Sequence, residues 1–411
     1  MMETESPFLF VGNGPYANRG CEAIAKSSIR LIREYFPNAP ITNGNPGGGY
    51  DQADETEPNV THKACRCFAD GFSRMGASSL IFSRTGLMLD LSKPGQLVRT
   101  EAPASRAVLS MGGDLYGLSM GKQTLLQYIF IGEAALRARK PFVIWCATIG
   151  KMDSEPRLKK KAMEHFRRCS LILVRDQDSY DYLAENGVRG NVRLVADPAF
   201  LLEPLEPKAP LPFPEPLEEM IGFNLVAAYG RVGDALSFRD MVKLGADCVE
   251  AIVKKTKRQV LLVPHVVAFP PEECPDSDTM YLALIREALA ARGIKVAQLP
   301  SALRSWEIKW VLGRLRAYVG SRFHSTVGAL GSGTPTLSIP YSEKGPALSR
   351  LLLGHTDFVI PWRQLEPEFL AEKVSALLDA EQDVRERLRN RLPEIRAMSH
   401  RAGDHLRELL G

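Results

Sequence analysis

The sequence has no apolar run approaching the roughly 20 residues that a helix needs to cross a bilayer, so no membrane-spanning helix is expected. It has little imbalance of charge: 52 Lys and Arg stand against 48 Asp and Glu, for a formal net charge of +4. No global field therefore marks it for nucleic acid. Seven cysteines are scattered, and Cys65-x-Cys67 is their single close pair, with no second pair or histidine cluster to complete a zinc site. The opening MMETESPFLFVG is acidic where a signal peptide is basic. With reduced thiols, this gives the expectation of a cytoplasmic protein without a metal.

What is present is an ordinary globular composition, 45% hydrophobic and 24% charged, over 411 residues, enough for two or three domains. The chain alternates short apolar runs with helical patterns, the signature of parallel, doubly wound sheets. Phe8 to Val11 reads as a strand, followed by Gly12-Asn13-Gly14-Pro15-Tyr16-Ala17-Asn18-Arg19-Gly20 and a helix from about Cys21 to Tyr35. Gly12, Gly14 and Ala17 fit the G-x-G-x-x-A spacing of dinucleotide sites. Pro15 inside the turn, and the lack of an acid after Ile41-Thr42, argue against NAD. A tight backbone turn, or a glycine loop against a charged or sugar ligand, remain.

Residues 43 to 63 are rich in turn formers and read as a loop; Ser78 to Leu91 reads as a helix weakened by Gly86. Arg106 to Ser110 is a strand ending in Met111-Gly112-Gly113-Asp114. Lys122 to Arg139 is an amphipathic helix and Pro141 to Ala147 a central strand. A basic helix from Arg157 to Arg168 is either a solvated face or a peripheral contact with anionic lipid. Leu171 to Val174 ends in Arg175-Asp176, with Ser179 behind, and Val192 to Val195 ends in Ala196-Asp197-Pro198.

The proline-dense stretch from Pro198 to Pro216 reads as a linker. A second strand-helix series follows: Met220 to Val226, a helix at Phe238 to Lys255, Val260 to Val263 ending in Pro264-His265, helices at Thr279 to Arg292 and Trp306 to Leu315, and a last strand at Phe358 to Ile360. Two terminal helices, broken near Pro393, close the chain. The expected domains are 1–203, a linker at 204–218, 219–362, and C-terminal helices at 363–411 that pack back on the first domain. The fold class expected is α/β, two Rossmann-like domains facing across a cleft.

The densest chemistry lies between Ala317 and Gly345. The strand Ala317 to Val319 breaks at Gly320 and delivers Ser321, Arg322, Phe323 and His324, with Ser325 or Thr326 placed to cap a helix over Val327 to Leu330. A second strand, Pro335 to Ile339, ends at Pro340-Tyr341-Ser342-Glu343-Lys344. Two neighbouring strand-to-helix turns thus present Arg322, His324 and Lys344. Such turns line the crevice of an open parallel sheet and suit a small anion. A lone cation there is equally a solvated group, and His324 alone equally a cap.

These landmarks resemble the polysaccharide pyruvyl transferase family over nearly the whole chain. The resemblance rests on Asn18 and Gly20, Gly112-Gly113, Val174-Arg175-Asp176 with Ser179, Ala196-Asp197-Pro198, Gly222-Phe223-Asn224, Val263-Pro264-His265 and, above all, Gly320-Ser321-Arg322-Phe323-His324. The chain departs from the family in Cys21, where Asp is frequent, and in Phe323, where Leu is more usual. The resemblance implies a fold similar to GT-B glycosyltransferases, phosphoenolpyruvate as donor and a sugar, nucleotide- or lipid-linked, as acceptor, with no cofactor. It places donor contacts at Arg322, Arg175, Lys344, His265 and Ser321, and acceptor contacts at Gly12, Asn13, Asn18, Gly20, Gly112, Gly113 and Asp114. His324 is expected as the proton donor or as a phosphate ligand, Arg175 and Arg322 as a clamp, and Asp197 or Asp114 either as a base toward the acceptor hydroxyl or as a strand-end cap. The rival readings are a nucleotide-sugar glycosyltransferase and a non-catalytic sugar-binding relative.

Overall fold

The computed structural model describes residues 6–65, 74–87, 89–90, 92–211, 213, 216–226, 236–267, 277–340 and 344–411. The chain divides into two compact units: residues 1–16, 24–198 and 396–411 form the first, and residues 17–23 and 199–395 the second.

Unit 1 is built on seven parallel strands, β1 (Phe8–Val11), β2 (Ile41–Asn45), β3 (Val60–Ala64), β4 (Ala107–Met111), β5 (Phe142–Ala147), β6 (Leu171–Val174) and β7 (Val192–Leu194). Their order is β3-β2-β1-β4-β5-β6-β7. Every residue of β1, β4, β5 and β6 is buried, which is why these strands read as unbroken apolar runs. The helices between them are α1 (Arg19–Tyr35), α2 (Gly49–Ala53), α3 (Arg74–Thr85), α4 (Lys93–Glu101), α5 (Lys122–Arg137), α6 (Pro156–Arg168) and α7 (Gln177–Glu185). The strand order reverses between β1 and β4, so their carboxyl-end turns flank the crevice of this sheet.

Unit 2 repeats the plan with five parallel strands, β8 (Ile221–Asn224), β9 (Val260–Leu262), β10 (Ala297–Gln298), β11 (Ala317–Gly320) and β12 (Thr336–Ser338), in the order β10-β9-β8-β11-β12. Its helices are α8 (Phe238–Thr256), α9 (Asp278–Ala290), α10 (Ser305–Leu312), α11 (Phe323–Gly331), α12 (Lys344–Leu353), α13 (Pro367–Asp379) and α14 (Glu381–Leu410). Here the order reverses between β8 and β11.

Four local expectations are corrected. Residues 43 to 63 are not one loop: they hold the end of β2, α2 and the edge strand β3, whose mixed burial hides it from a search for apolar runs. The helix expected from Ser78 spans Arg74–Thr85 and stops at Gly86, whose φ of 72° is the left-handed conformation that ends helices. Phe358 to Ile360 forms no strand but a single bridge, Val359 to Ser338.

The fourth correction concerns Pro393, which does not break the last helix; α14 runs through it. An internal proline costs about 3 kcal/mol, and packing offsets it. Leu388 and Ile395 are fully buried, and Arg385 donates to the carbonyls of Leu315, Arg316 and Gly333. Beyond Arg396 the helix belongs to unit 1, where Asp404 accepts from the Tyr35 hydroxyl at 2.9 Å and Ser399 Oγ donates to the Asp197 carbonyl at 3.0 Å.

On α6 several of the basic residues are paired locally. Lys159 pairs with Asp153 at 2.6 Å, Lys161 with Glu164 at 2.8 Å and Arg168 with Glu133 at 2.9 Å, while Leu158, Met163 and Phe166 face the core. No helix among the described residues is long and apolar enough to cross a membrane.

Candidate active site

In unit 2 the carboxyl ends of β8, β9 and β11 are tied together by two buried side chains. Asn224, the last residue of β8, donates through Nδ2 to the Val263 carbonyl at 2.9 Å and to Asp278 Oδ2 at 3.0 Å. Its Oδ1 accepts from the Arg322 backbone N–H at 3.1 Å and from Ser321 Oγ at 3.3 Å. Asp278 opens α9 and is only 1% exposed. It accepts from the backbone N–H groups of His265 and Val266, each at 3.0 Å. It also takes Arg322 by the fork: Nε lies 3.1 Å and Nη2 2.8 Å from Oδ1. The orientation of Arg322 is thus fixed from beneath by a carboxylate. The sequence reading missed Asp278; an acid opening a helix is ordinarily a cap, and only the fold brings it under Arg322.

Helix α11 starts earlier than expected. Arg322, extended at φ −73° and ψ 120°, occupies the N-cap position, and its own side chain makes no capping bond. Ser325 and Thr326, the expected caps, instead donate backwards to the carbonyls of Arg322 and Phe323 at 2.7 and 2.6 Å. His324 therefore lies in the first helical turn, half-buried, with the Phe323 ring edge-on at 5.1 Å. Arg322 and His324 thus occupy the N-cap and the first turn of one helix.

His265 follows β9 and is 4% exposed, and neither ring nitrogen has a hydrogen-bond partner among the described residues. Burial pushes its pKa well below the ordinary histidine value, and the neighbouring His324, Arg322 and Arg19 push the same way. It is neutral at physiological pH. With His324, Ser305, Lys309 and Ala23 it lines a small cavity within this unit. Lys309 does not offer its charge there, since Nζ donates to the carbonyls of Ala199, Phe200 and Leu202. Ser321 is buried against Asn224, and the Lys344 side chain lies outside the described residues.

Asn18 and Gly20 belong to this unit as well. Asn18 forms an antiparallel bridge with Val266, Val267 N–H donates to the Ala17 carbonyl at 2.9 Å, and Arg19 N–H donates to the His265 carbonyl at 3.0 Å. Arg19 Nη2 reaches the Ser301 carbonyl at 3.1 Å, and Glu22 accepts from Ser305 N–H at 2.8 Å. Burial raises the Glu22 carboxyl above its ordinary value, outweighing the opposing pull of Arg19.

Unit 1 holds the remaining expected residues. Gly12 follows β1 at φ 87°, and its carbonyl accepts from the Tyr128 hydroxyl at 3.0 Å. Asn13 is buried, and Gly112 passes so close to β5 that a Cβ on it would stand 2.3 Å from the Cys146 carbonyl oxygen. Gly113 and the half-buried Asp114 follow on the same turn. These residues border the β1–β4 switch.

At the end of β6, Arg175 pairs with Asp197, the two side chains 3% and 4% exposed, and its Nε donates to Thr148 Oγ1 at 3.1 Å. Asp176 caps α7 by accepting from Ser179 N–H at 2.8 Å, and Ser179 Oγ accepts from Ile149 N–H at 2.8 Å. Asp197, expected as a possible base, is sealed in this ion pair. A further buried network went unnoticed in the sequence: Glu55 accepts from the Tyr16 hydroxyl at 2.8 Å and lies 2.8 Å from His62 Nε2, with Lys26 on its other oxygen. Among the described residues no group of three or more His, Cys, Asp or Glu is placed to hold a metal.

Residues 18–343 match the family model described as polysaccharide pyruvyl transferase. The chain belongs to the polysaccharide pyruvyl transferase family. Members are transferases, and the match spans both the Asn18–Gly20 segment and the Arg322–His324 turn. No curated protein matches the chain in sequence. Among solved structures it is similar to a putative UDP-N-acetylglucosamine 2-epimerase from Listeria monocytogenes (12% identity, 97% of this chain and 94% of that one, TM-score 0.60). It is also similar to the glycotransferase of kitacinnamycin (15% identity, 99% and 100%, TM-score 0.56) and to Anabaena HepE in complex with UDP and glucose (11% identity, 98% and 99%, TM-score 0.55). At these identities the likeness is one of fold, and the fold of this pyruvyl transferase family member is GT-B-like.

Proposed function

We propose that the protein moves the pyruvate group of phosphoenolpyruvate onto two hydroxyls of a sugar, in a polysaccharide or its precursor, to form a cyclic ketal. The observation that supports this best is the pairing of a carboxylate-oriented Arg322 with His324 at the N-terminus of α11. The donor carries a carboxylate and a phosphate. A fixed guanidinium and a helix N-terminus together suit such an anion.

In the proposed reaction His324 delivers a proton to the terminal methylene carbon of the donor. The adjacent carbon becomes oxocarbenium-like and is attacked by one sugar hydroxyl, whose proton leaves to a base. The bond to the phosphate oxygen breaks, inorganic phosphate departs with the proton held by the base, and the second hydroxyl closes the ring as its own proton restores His324. One donor and one diol thus give one ketal and one phosphate. His324 suits proton transfer near neutral pH, while His265, neutral and buried behind it, is proposed to accompany it on the donor side. Gly12, Asn13 and the Gly112–Asp114 turn are proposed to meet the acceptor. Among the described residues the acid that holds Arg322 is Asp278, already spent on that arginine, and the turn and helix after Arg322 carry no acid before Glu343, which argues against a ribose-binding carboxylate and a nucleotide-sugar donor.

For Arg175 we propose a role through Asp197, holding the strand ends of unit 1, rather than direct donor contact. Titration calorimetry tests the donor assignment: phosphoenolpyruvate should bind the wild type and bind Arg322→Ala far more weakly, and UDP should not compete. Competitive binding of UDP, with no effect of Arg322→Ala on phosphoenolpyruvate, would favour the glycosyltransferase reading.

A further inference from the structure

Gly20 lies in the first turn of α1, and its backbone has no need of glycine, because its φ is outside the left-handed region. Glycine is also a poor helix former. The reason for it lies across the contact. A Cβ built on Gly20 would stand 2.7 Å from His324 Nδ1, 2.8 Å from His324 Cβ and 2.9 Å from His324 Cγ. All three are closer than side chains tolerate.

We propose that Gly20 is a positioning residue for His324: its bare backbone forms the wall against which the imidazole rests in the orientation from which it transfers its proton. This rests on the reading of His324 as the proton-transferring group. The wall is itself held in place. Asn18 pairs with Val266, Arg19 N–H bonds the His265 carbonyl at 3.0 Å, Gly20 N–H bonds Asn18 Oδ1 at 3.0 Å, and Glu22 accepts from Ser305 N–H at 2.8 Å. The ring also meets Phe323 edge-on at 5.1 Å and borders the cavity shared with His265 and Ser305. Rotation about the side chain alone does not clear an added methyl, because the His324 Cβ is among the atoms it meets. The first turn of α11 must move with the ring.

The test is a double-variant cycle on phosphate release from phosphoenolpyruvate in the presence of acceptor. Gly20→Ala in the wild type should lower kcat about 10- to 100-fold, the cost of misplacing a reacting group by an ångström or less, with a smaller rise in KM for phosphoenolpyruvate because Arg322 caps the turn that moves. His324→Gln alone should lower kcat further, and Gly20→Ala added to His324→Gln should lower kcat far less than it does in the wild type, because the proton-transferring ring it misplaces is already gone. Losses that multiply across the two sites would overturn the proposal. So would Gly20→Ala with wild-type kcat. A His324→Gln enzyme at full activity would show instead that the reading of His324 is wrong. If Gly20→Ala does not fold, melting temperature reads the same contact: His324→Gly removes the facing Cβ, Cγ and Nδ1 and should restore folding to the Gly20→Ala chain. Failure to restore it would overturn the proposal.

Discussion

Asp278 holds Arg322 by the Nε–Nη2 edge, at 3.1 and 2.8 Å, from a position where its own side chain is 1% exposed and that of Arg322 is 17% exposed. The same carboxylate anchors the backbone of His265 and Val266. One buried acid therefore sets both the cation and the loop beside it.

Replacing Asp278 by Asn keeps an acceptor but removes the charge that orients the fork. Donor binding should weaken by about 1.5–3 kcal/mol, the worth of a charge-assisted hydrogen bond. Calorimetric titration with phosphoenolpyruvate reads this directly. An unchanged dissociation constant would mean that Arg322 finds its orientation without Asp278.

Arg322→Lys should not restore what Arg322→Ala loses. A lysine ammonium cannot engage Asp278 through two nitrogens and still present a planar edge to a carboxylate or phosphate. The check is KM for phosphoenolpyruvate in the two variants: both should rise alike. Near-normal KM in the lysine variant would reduce the site to a point charge.

The Arg175–Asp197 pair is buried on both sides, so removing one partner strands a charge. Arg175→Ala should cost about 3–5 kcal/mol of stability, seen as a lowered urea midpoint. Wild-type stability combined with weakened donor binding would return Arg175 to the donor set that the family resemblance implies.

Glu55 sets an acid limit on unit 1. Burial pushes its carboxyl up, but hydrogen bonds from His62, Lys26 and the Glu57 backbone outweigh this and hold it down to about 2, against an ordinary 4.5. The unfolded chain therefore binds the proton first. The stabilisation is complete above 4.5 and is lost as the pH falls toward 2, on the order of 2–3 kcal/mol in all. Glu55→Gln should be less stable than the wild type at pH 7, and the gap should narrow between pH 4.5 and 2 in urea unfolding. A gap that does not change with pH would remove Glu55 from this role.

Much of the fold was legible because buried parallel strands leave continuous apolar runs, as in β4 and β5, and because glycine and proline mark the turns after them. The edge strand β3 was not, since Thr61 and Lys63 break its apolar pattern and only pairing with β2 makes it a strand. Pro393 misled because propensity is local, whereas the burial of Leu388 and Ile395 is not. At the site, Arg322 and His324 stood out by their spacing after a strand. Asp278 and Gly20 did not stand out as their partners: one is 44 residues from Arg322 along the chain. The other is a glycine whose purpose appears only when the His324 ring is seen against it.

The central claim is that Arg322 and His324 serve pyruvyl transfer from phosphoenolpyruvate, and it is tested most directly by mass spectrometry of a panel of nucleotide- and lipid-linked sugars incubated with the protein and phosphoenolpyruvate. The account predicts a product heavier than its acceptor by one pyruvate less one water, one phosphate released per product, and loss of both by about 100- to 10,000-fold in folded His324→Gln. An acceptor that instead gains a hexose from a nucleotide sugar, or full pyruvyl transfer by His324→Gln, would contradict it.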